Sequence, residues 1–271
     1  MECATVPTDV LPAHLDPTDS AGAVTGNGHD WLARLVDMSS AVGTLAIRGV
    51  KTEKGVGVAA FGGGGILGPN EYSLQISTND NKTSYNCAGH SGCTVWQQWL
   101  YATDLLGQGK AAVYMHYGLI NWGSSACPTG WTKIGTNCFA NSPAVVAPDV
   151  PITSLSQLTL EGLAIPGVPD SVTFLYGTES FSVTESRHIL DISLAWEEAE
   201  FNVVGDGGGS RAVFNKGSFI TVDLAVDNGA ETPTKCALNG GTTANSNNLK
   251  LGACRAFMVG FQPTIEFTES N

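Results

Sequence analysis

Basic residues are scarce in this chain. It has 13 Lys and Arg against 25 Asp and Glu over 271 residues, giving a formal charge of -12 and a pI near 4.7. That balance argues against nucleic acid and anionic membrane surfaces as partners, since both would repel the protein. An acidic working environment fits it better. Charge of either sign makes up only 14% of residues against 42% hydrophobic ones, so the chain is globular and long enough to bury a sizeable core. No apolar run reaches the length of a membrane span. No secretory leader is present, and Met1-Glu2-Cys3 reads as an added initiator on a mature chain.

The usual signatures of catalytic chemistry are missing as well. No H-E-x-x-H helix occurs, and five scattered histidines do not make a zinc site, so neither a metal nor a cofactor is expected. Gly208-Gly209-Ser210-Arg211-Ala212 departs from a nucleophile elbow at its last position and has no helix signal behind it. Gly89-His90-Ser91-Gly92 lies inside a small cysteine loop and is no better a candidate. The glycine run Phe61–Ile66 is followed by Pro69 and Asn70 without the Lys-Ser/Thr of a phosphate loop, and reads as a flexible connection. Asp-Thr-Gly and Asp-Ser-Gly are absent, which removes the aspartic proteases.

Seven cysteines are present, and six fall into neighbouring pairs: Cys87 with Cys93, Cys127 with Cys138, and Cys236 with Cys254. Local disulfides are the simplest reading, because C-x-x-C spacing and nearby His ligands are lacking. An oxidising compartment, hence a secreted protein, follows. Cys3 is left over. Asn81-Lys82-Thr83 is a glycosylation sequon, relevant in a eukaryotic host.

Long amphipathic helices are scarce, whereas 33 glycines and many short β-branched runs between turn residues point to an all-β fold. The expectation is a disulfide-stapled antiparallel β-sandwich, concanavalin-like or jelly-roll-like. Residues 1–42 would form a lead-in punctuated by Pro7, Pro12 and Pro17, with a short helix over Asp30–Met38 capped by Asp30 and surface histidines at 14 and 29. Residues 43–271 would form the sandwich, as one domain or as two halves meeting near 143–152. Thr52-Glu53-Lys54-Gly55 reads as a turn and 144–151 as a proline-marked connector. Strands are expected at 71–79, 95–101, 111–122, 158–162, 171–176, 181–183, 189–196, 200–204, 212–214, 219–226 and 264–267.

The stretch Leu194–Asp206 organises the rest. Read as a strand, it sets Ala199, Phe201 and Val203 on one face and Glu198, Glu200 and Asn202 on the other. Carboxylates on an inner face gain a pKa suited to proton transfer, whereas on an outer face they are merely solvated. In the first half, Val95-Trp96-Gln97-Gln98-Trp99-Leu100-Tyr101 and the apolar run carrying Tyr114 and His116 form an adjacent pair of strands. Which of Gln97 and Gln98 faces inward is open.

A Glu and a Gln together can hydrolyse an amide. The acid takes a proton from water and returns one to the leaving amine, while the carboxamide hydrogen-bonds the oxyanion. Ala199-Glu200-Phe201-Asn202-Val203-Val204-Gly205-Asp206 resembles the Ala-Glu-Trp-Ile-Val-Glu stretch that carries the catalytic Glu of the fungal glutamic peptidases, the eqolisins. Val95-Trp96-Gln97-Gln98-Trp99 with Tyr114-Met115-His116-Tyr117 is similar to the strand pair bearing their Gln. Cys127-Pro128-Thr129-Gly130-Trp131 is similar to an element of the plant neprosins. The likeness covers about a fifth of the chain, and Phe201 and Gly205-Asp206 depart from the family pattern. It implies a secreted, acid-active endopeptidase acting on polypeptides. Glu200 would be the general acid/base, Gln97 the oxyanion donor with Gln98 as the other candidate, and Trp96, Trp99, Tyr114, His116, Glu198 and Asn202 would meet substrate.

A different class fits the tryptophans. Trp96, Trp99, Trp122, Trp131 and Trp196, with polar neighbours, are also what a non-catalytic carbohydrate-binding or surface-interaction sandwich offers. A glycosidase would draw on Glu198 and Glu200, about 7 Å apart along one strand. Nothing in the sequence speaks to oligomeric state.

Overall fold

A computed structural model describes residues 3–5, 24–26, 29–57, 67–123, 125–206, 209–238 and 245–271. The run Phe61–Ile66, the segment with Pro7, Pro12, Pro17 and His14, and the pair Gly207-Gly208 lie outside them. The strands form two sheets of ten, packed into a sandwich. The first sheet runs, in spatial order, Cys3–Thr5, Pro143–Pro148, Lys110–Ile120, Thr94–Ala102, Ser73–Thr78, Glu198–Val204, Trp31–Arg34 and Lys235–Leu238, with Thr132–Ile134 and Asn137–Asn141 continuing beside Lys110–Ile120. The second runs Glu179–Glu185, Asp170–Tyr176, Leu158–Leu163, Ser40–Arg48, Phe219–Asp227, Gln262–Ser270, Ser246–Val259, Arg211–Phe214 and Glu53–Val56, with Val24–Gly26 alongside Ser246–Val259. Among the described residues, every strand pairing is antiparallel except Arg211–Phe214 with Ser246–Val259. Among the described residues, no helix is long and apolar enough to cross a membrane.

The two sheets differ in what their outward faces carry. In the second, Leu158–Leu163 and Phe219–Asp227 alternate strictly between buried and half-buried, as expected of strands with one wet face. In the first, Ser73–Thr78, Thr94–Ala102 and Lys110–Ile120 are buried on both faces almost throughout. Polar side chains on its outward face are therefore largely out of water.

Between the sheets, aromatic rings of the first seat against the second. Tyr101 stacks on Phe174 of the second sheet at 3.9 Å, and Trp99 packs on Trp196, in the segment before Glu198–Val204, with ring centres 4.6 Å apart. Three disulfides join Cys87–Cys93, Cys127–Cys138 and Cys236–Cys254. The last ties Lys235–Leu238 of the first sheet to Ser246–Val259 of the second.

Four local expectations are corrected. The segment Asp30–Met38 is no helix: Trp31–Arg34 is a strand between Glu198–Val204 and Lys235–Leu238, and burial of Leu32 and Ala33 on opposite faces outweighs the capping signal. The run Ile189–Trp196 is not a strand: a 3-10 turn ends at Ile189, another spans Ile192–Leu194, and Asp191 is left-handed between them, the run's apolarity being explained by buried Leu190, Ile192 and Trp196. Glu53–Val56, expected as a turn, pairs with Arg211–Phe214. Pro143–Pro148 is a strand rather than a connector, with its prolines at the two ends, where a missing N–H costs least.

Candidate active site

Strand register lines up one row of side chains across the outward face of the first sheet. Gln98 stands opposite Ser77, Ser77 opposite Glu200, and Glu200 opposite Leu32. On the other flank Gln98 stands opposite His116, and His116 opposite Asn141. Residues paired in register share a face. With strands about 4.8 Å apart, the backbones of Gln98 and Glu200 are separated by about 10 Å, and Ser77 occupies the strand between them.

The row is desolvated. Glu200 is 3% exposed and Gln98 5%, so the solvated-face alternative for Glu200 does not apply. Gln98 Nε2 donates to Ser77 Oγ at 2.9 Å and to Gln75 Oε1 at 3.1 Å. Gln75 Nε2 in turn donates to Ser73 Oγ at 2.9 Å, and Ser73 Oγ to the Gly205 carbonyl at 2.8 Å.

Glu200 has an acidic neighbour that the sequence did not mark as functional. Asp30, completely buried, is hydrogen-bonded to the Glu200 carboxyl. Burial foremost, and then the carboxyls of Glu200 and Glu269, hold the Asp30 pKa well above the ordinary aspartate range. Asn202 fixes this corner. Pairing with Trp31–Arg34 ends at Glu200, and past that point the Asn202 amide donates to Asp30 Oδ1 and to Glu269 Oε1, both at 2.7 Å. Asn247 holds the other oxygen of Glu269 at 3.0 Å.

The remaining sequence candidates divide between the faces. Gln97 and Trp99 point between the sheets, opposite to Gln98. The Gln97 amide lies 3.8 Å from Met115 Sδ, near Asp170, whose pKa burial raises to about 7. Trp96, Tyr114 and His116 share the face of Gln98. Trp96 Nε1, Tyr114 Oη and His116 Nε2 are buried there without a hydrogen-bond partner, and burial lowers the His116 pKa to about 4. Glu198, on the Glu200 face, is held by the Arg34 guanidinium at the sheet margin. Asn202 spends its amide on the two carboxyls, so it supports Glu200 rather than reaching outward.

Ser73, Gln75 and Ser77 form the polar face of a strand whose alternation is plain in the sequence. That signal could have found them. Glu269 and Asn247, close to the chain's end, carry no such mark. Among the described residues, no group of three His, Cys, Asp or Glu has the geometry to hold a metal ion. Of the five tryptophans considered for sugar binding, Trp96, Trp99 and Trp196 are buried; Trp122 stacks on His90, and Trp131 lies within the Cys127–Cys138 loop.

No family profile and no curated protein sequence matches the chain. Solved structures do. Scytalido-glutamic peptidase with a peptide-based transition state analog is 12% identical over 88% of this chain and 97% of its own, with a TM-score of 0.37. The same peptidase with a transition state analog inhibitor is 12% identical over 90% and 98%, at 0.34. SCP-B, a member of the Eqolisin family of peptidases in complex with the tripeptide Ala-Ile-His, is 12% identical over 90% and 98%, at 0.33. The likeness is loose, and nothing about the site rests on it.

Proposed function

We propose that the chain is a secreted, acid-active endopeptidase in which Glu200 activates water and Gln98 stabilises the oxyanion. The observation carrying this reading is the buried row Gln98, Ser77, Glu200: an amide donor and a carboxyl on one face, a peptide's width apart. Asp30 keeps its proton into the range where ordinary carboxyls ionise, so it can donate to an ionised Glu200.

In the forward direction Glu200 takes a proton from water as the water oxygen bonds to the scissile carbonyl carbon. Charge collects on the carbonyl oxygen, and the Gln98 hydrogen now resting on Ser77 Oγ turns to meet it. Glu200 then passes the proton to the amide nitrogen as the C–N bond breaks. Trp96, Tyr114 and His116, with buried polar atoms unspent on that face, would contact the peptide. The three disulfides support secretion.

Non-catalytic carbohydrate binding is the weaker reading, because Trp99 and Trp196 are buried against each other, away from the Gln98 face, and present no open ring face to a sugar. The glycosidase pair is weaker too, since Arg34 neutralises Glu198. Incubation with casein at about pH 3–5 tests the proposal. Cleavage insensitive to pepstatin and lost in Glu200→Gln is the expected result. Retention of glycans without cleavage of any protein would overturn it.

A further inference from the structure

A carboxamide has two ends, and only one can donate to an oxyanion. The hydrogen bonds behind Gln98 decide which end faces the reacting bond, starting from an atom with no choice. The Gly205 carbonyl oxygen can only accept, so the single Ser73 hydroxyl hydrogen is spent on it at 2.8 Å. Ser73 Oγ must then accept from Gln75, which requires the Gln75 nitrogen to face it at 2.9 Å. Gln75 therefore turns its oxygen toward Gln98, 3.1 Å away. A reversed Gln98 would set two carbonyl oxygens against each other at that distance. Water cannot readily relieve the conflict, since Ser73, Gln75, Ser77 and Gln98 are all buried.

We infer that Ser73 and Gln75 are positioning residues, a relay anchored on the Gly205 carbonyl that holds the Gln98 amide with its nitrogen toward the scissile bond. One Gln98 hydrogen is anchored on Gln75. The other, on Ser77 Oγ at 2.9 Å, is the one exchanged for the oxyanion. The inference rests on Gln98 as the oxyanion donor, and it adds that the donor's polarity is set two residues away.

Gln75→Met keeps the length of the side chain and removes both polar atoms, whereas Gln75→Glu, protonated at about pH 4 in this buried position, donates its O–H to Ser73 Oγ and keeps an oxygen facing Gln98. The Gln98 side-chain amide protons, identified in a ¹H–¹⁵N spectrum by their absence in Gln98→Ala, should be protected from solvent exchange in the native protein and in Gln75→Glu, and lose protection in Gln75→Met. On a peptide substrate, Gln75→Met should lower kcat about 10–100-fold with KM within about twofold, and Gln75→Glu should restore most of it. If Gln75→Met does not fold, Ser73→Ala takes its place with the same readouts. Unchanged protection in the Met variant, or lost protection with unchanged kcat, overturns the relay. If the native protein cleaves nothing, the peptidase reading falls by itself, and the exchange data still decide whether the relay exists.

Discussion

The Phe201 ring occupies the space that a β-carbon on Gly43 would need. Such an atom would lie 2.4 Å from three ring carbons. Trp99 sits in the same way over Gly162, where a β-carbon would come within 2.5 Å of the indole. Each ring directly follows a candidate catalytic residue, Glu200 or Gln98, and each glycine belongs to the facing sheet. Two gaps in the second sheet thus seat the strands that carry the site. Gly43→Ala should cost about 1–3 kcal/mol of stability through overpacking, and should lower kcat by displacing Glu200. Urea unfolding and peptide hydrolysis check both.

A second prediction concerns pH and stability. Burial raises Glu53 to about 9, Glu71 to about 10, Asp206 to about 8, Asp170 to about 7 and Asp149 to about 6, and lifts Asp30 and Asp223 as well. In each case the native state keeps a proton that the unfolded chain has released above about pH 4, so stability is fullest below that pH and is lost as pH rises through the native values. His116, lowered to about 4, works in the opposite sense between about pH 4 and 6.5, but it is one group against seven. The melting temperature should be highest near pH 4 and fall by at least about 10 °C by pH 8. Glu71→Gln should recover part of that fall at pH 8 and change little at pH 3.

Asp30 offers a third. If its proton supports Glu200, ionisation of Asp30 closes the active range from the alkaline side. Asp30→Asn supplies a donor that never ionises, while the Asn oxygen can still accept from Asn202. The alkaline limb of the kcat/KM profile should move to higher pH, with activity at pH 4 within about tenfold of the native value. An unmoved limb would separate Asp30 from the reaction.

The disulfides differ in what they hold. Cys236–Cys254 closes the longest loop, with a separation of 18 residues, and crosses between sheets, whereas Cys87–Cys93 spans only 6. Paired Ser substitutions should cost about 3 kcal/mol at the first and about 2 kcal/mol at the second. Denaturant midpoints of the two variants give the comparison.

The alternation in Glu198–Val204 and the local cysteine pairs were legible in the sequence because both depend on short-range spacing. Choosing between Gln97 and Gln98 was not. Thr94–Ala102 is buried on both faces, with tryptophans at 96 and 99 on opposite sides, so no polar-apolar contrast marks which glutamine faces Glu200. Asp30 looked like a helix cap because a capping Asp and a buried acid have the same local neighbours. Its contact with Glu200 spans 170 residues of chain and emerges only from sheet order. Glu269 and Asn247 escaped for the same reason, since they meet Asn202 and Val203 on a strand distant in sequence.

The central claim is that Glu200 and Gln98 act on one water and one carbonyl. A double-mutant cycle of Glu200→Gln and Gln98→Ala on one peptide at pH 4 tests it directly. Acting together, each single variant should lose at least about 100-fold in kcat, and the double variant should lose little more than Glu200→Gln alone. A Glu200→Gln enzyme that keeps a tenth or more of native kcat, or losses that simply multiply in the double variant, would contradict the account.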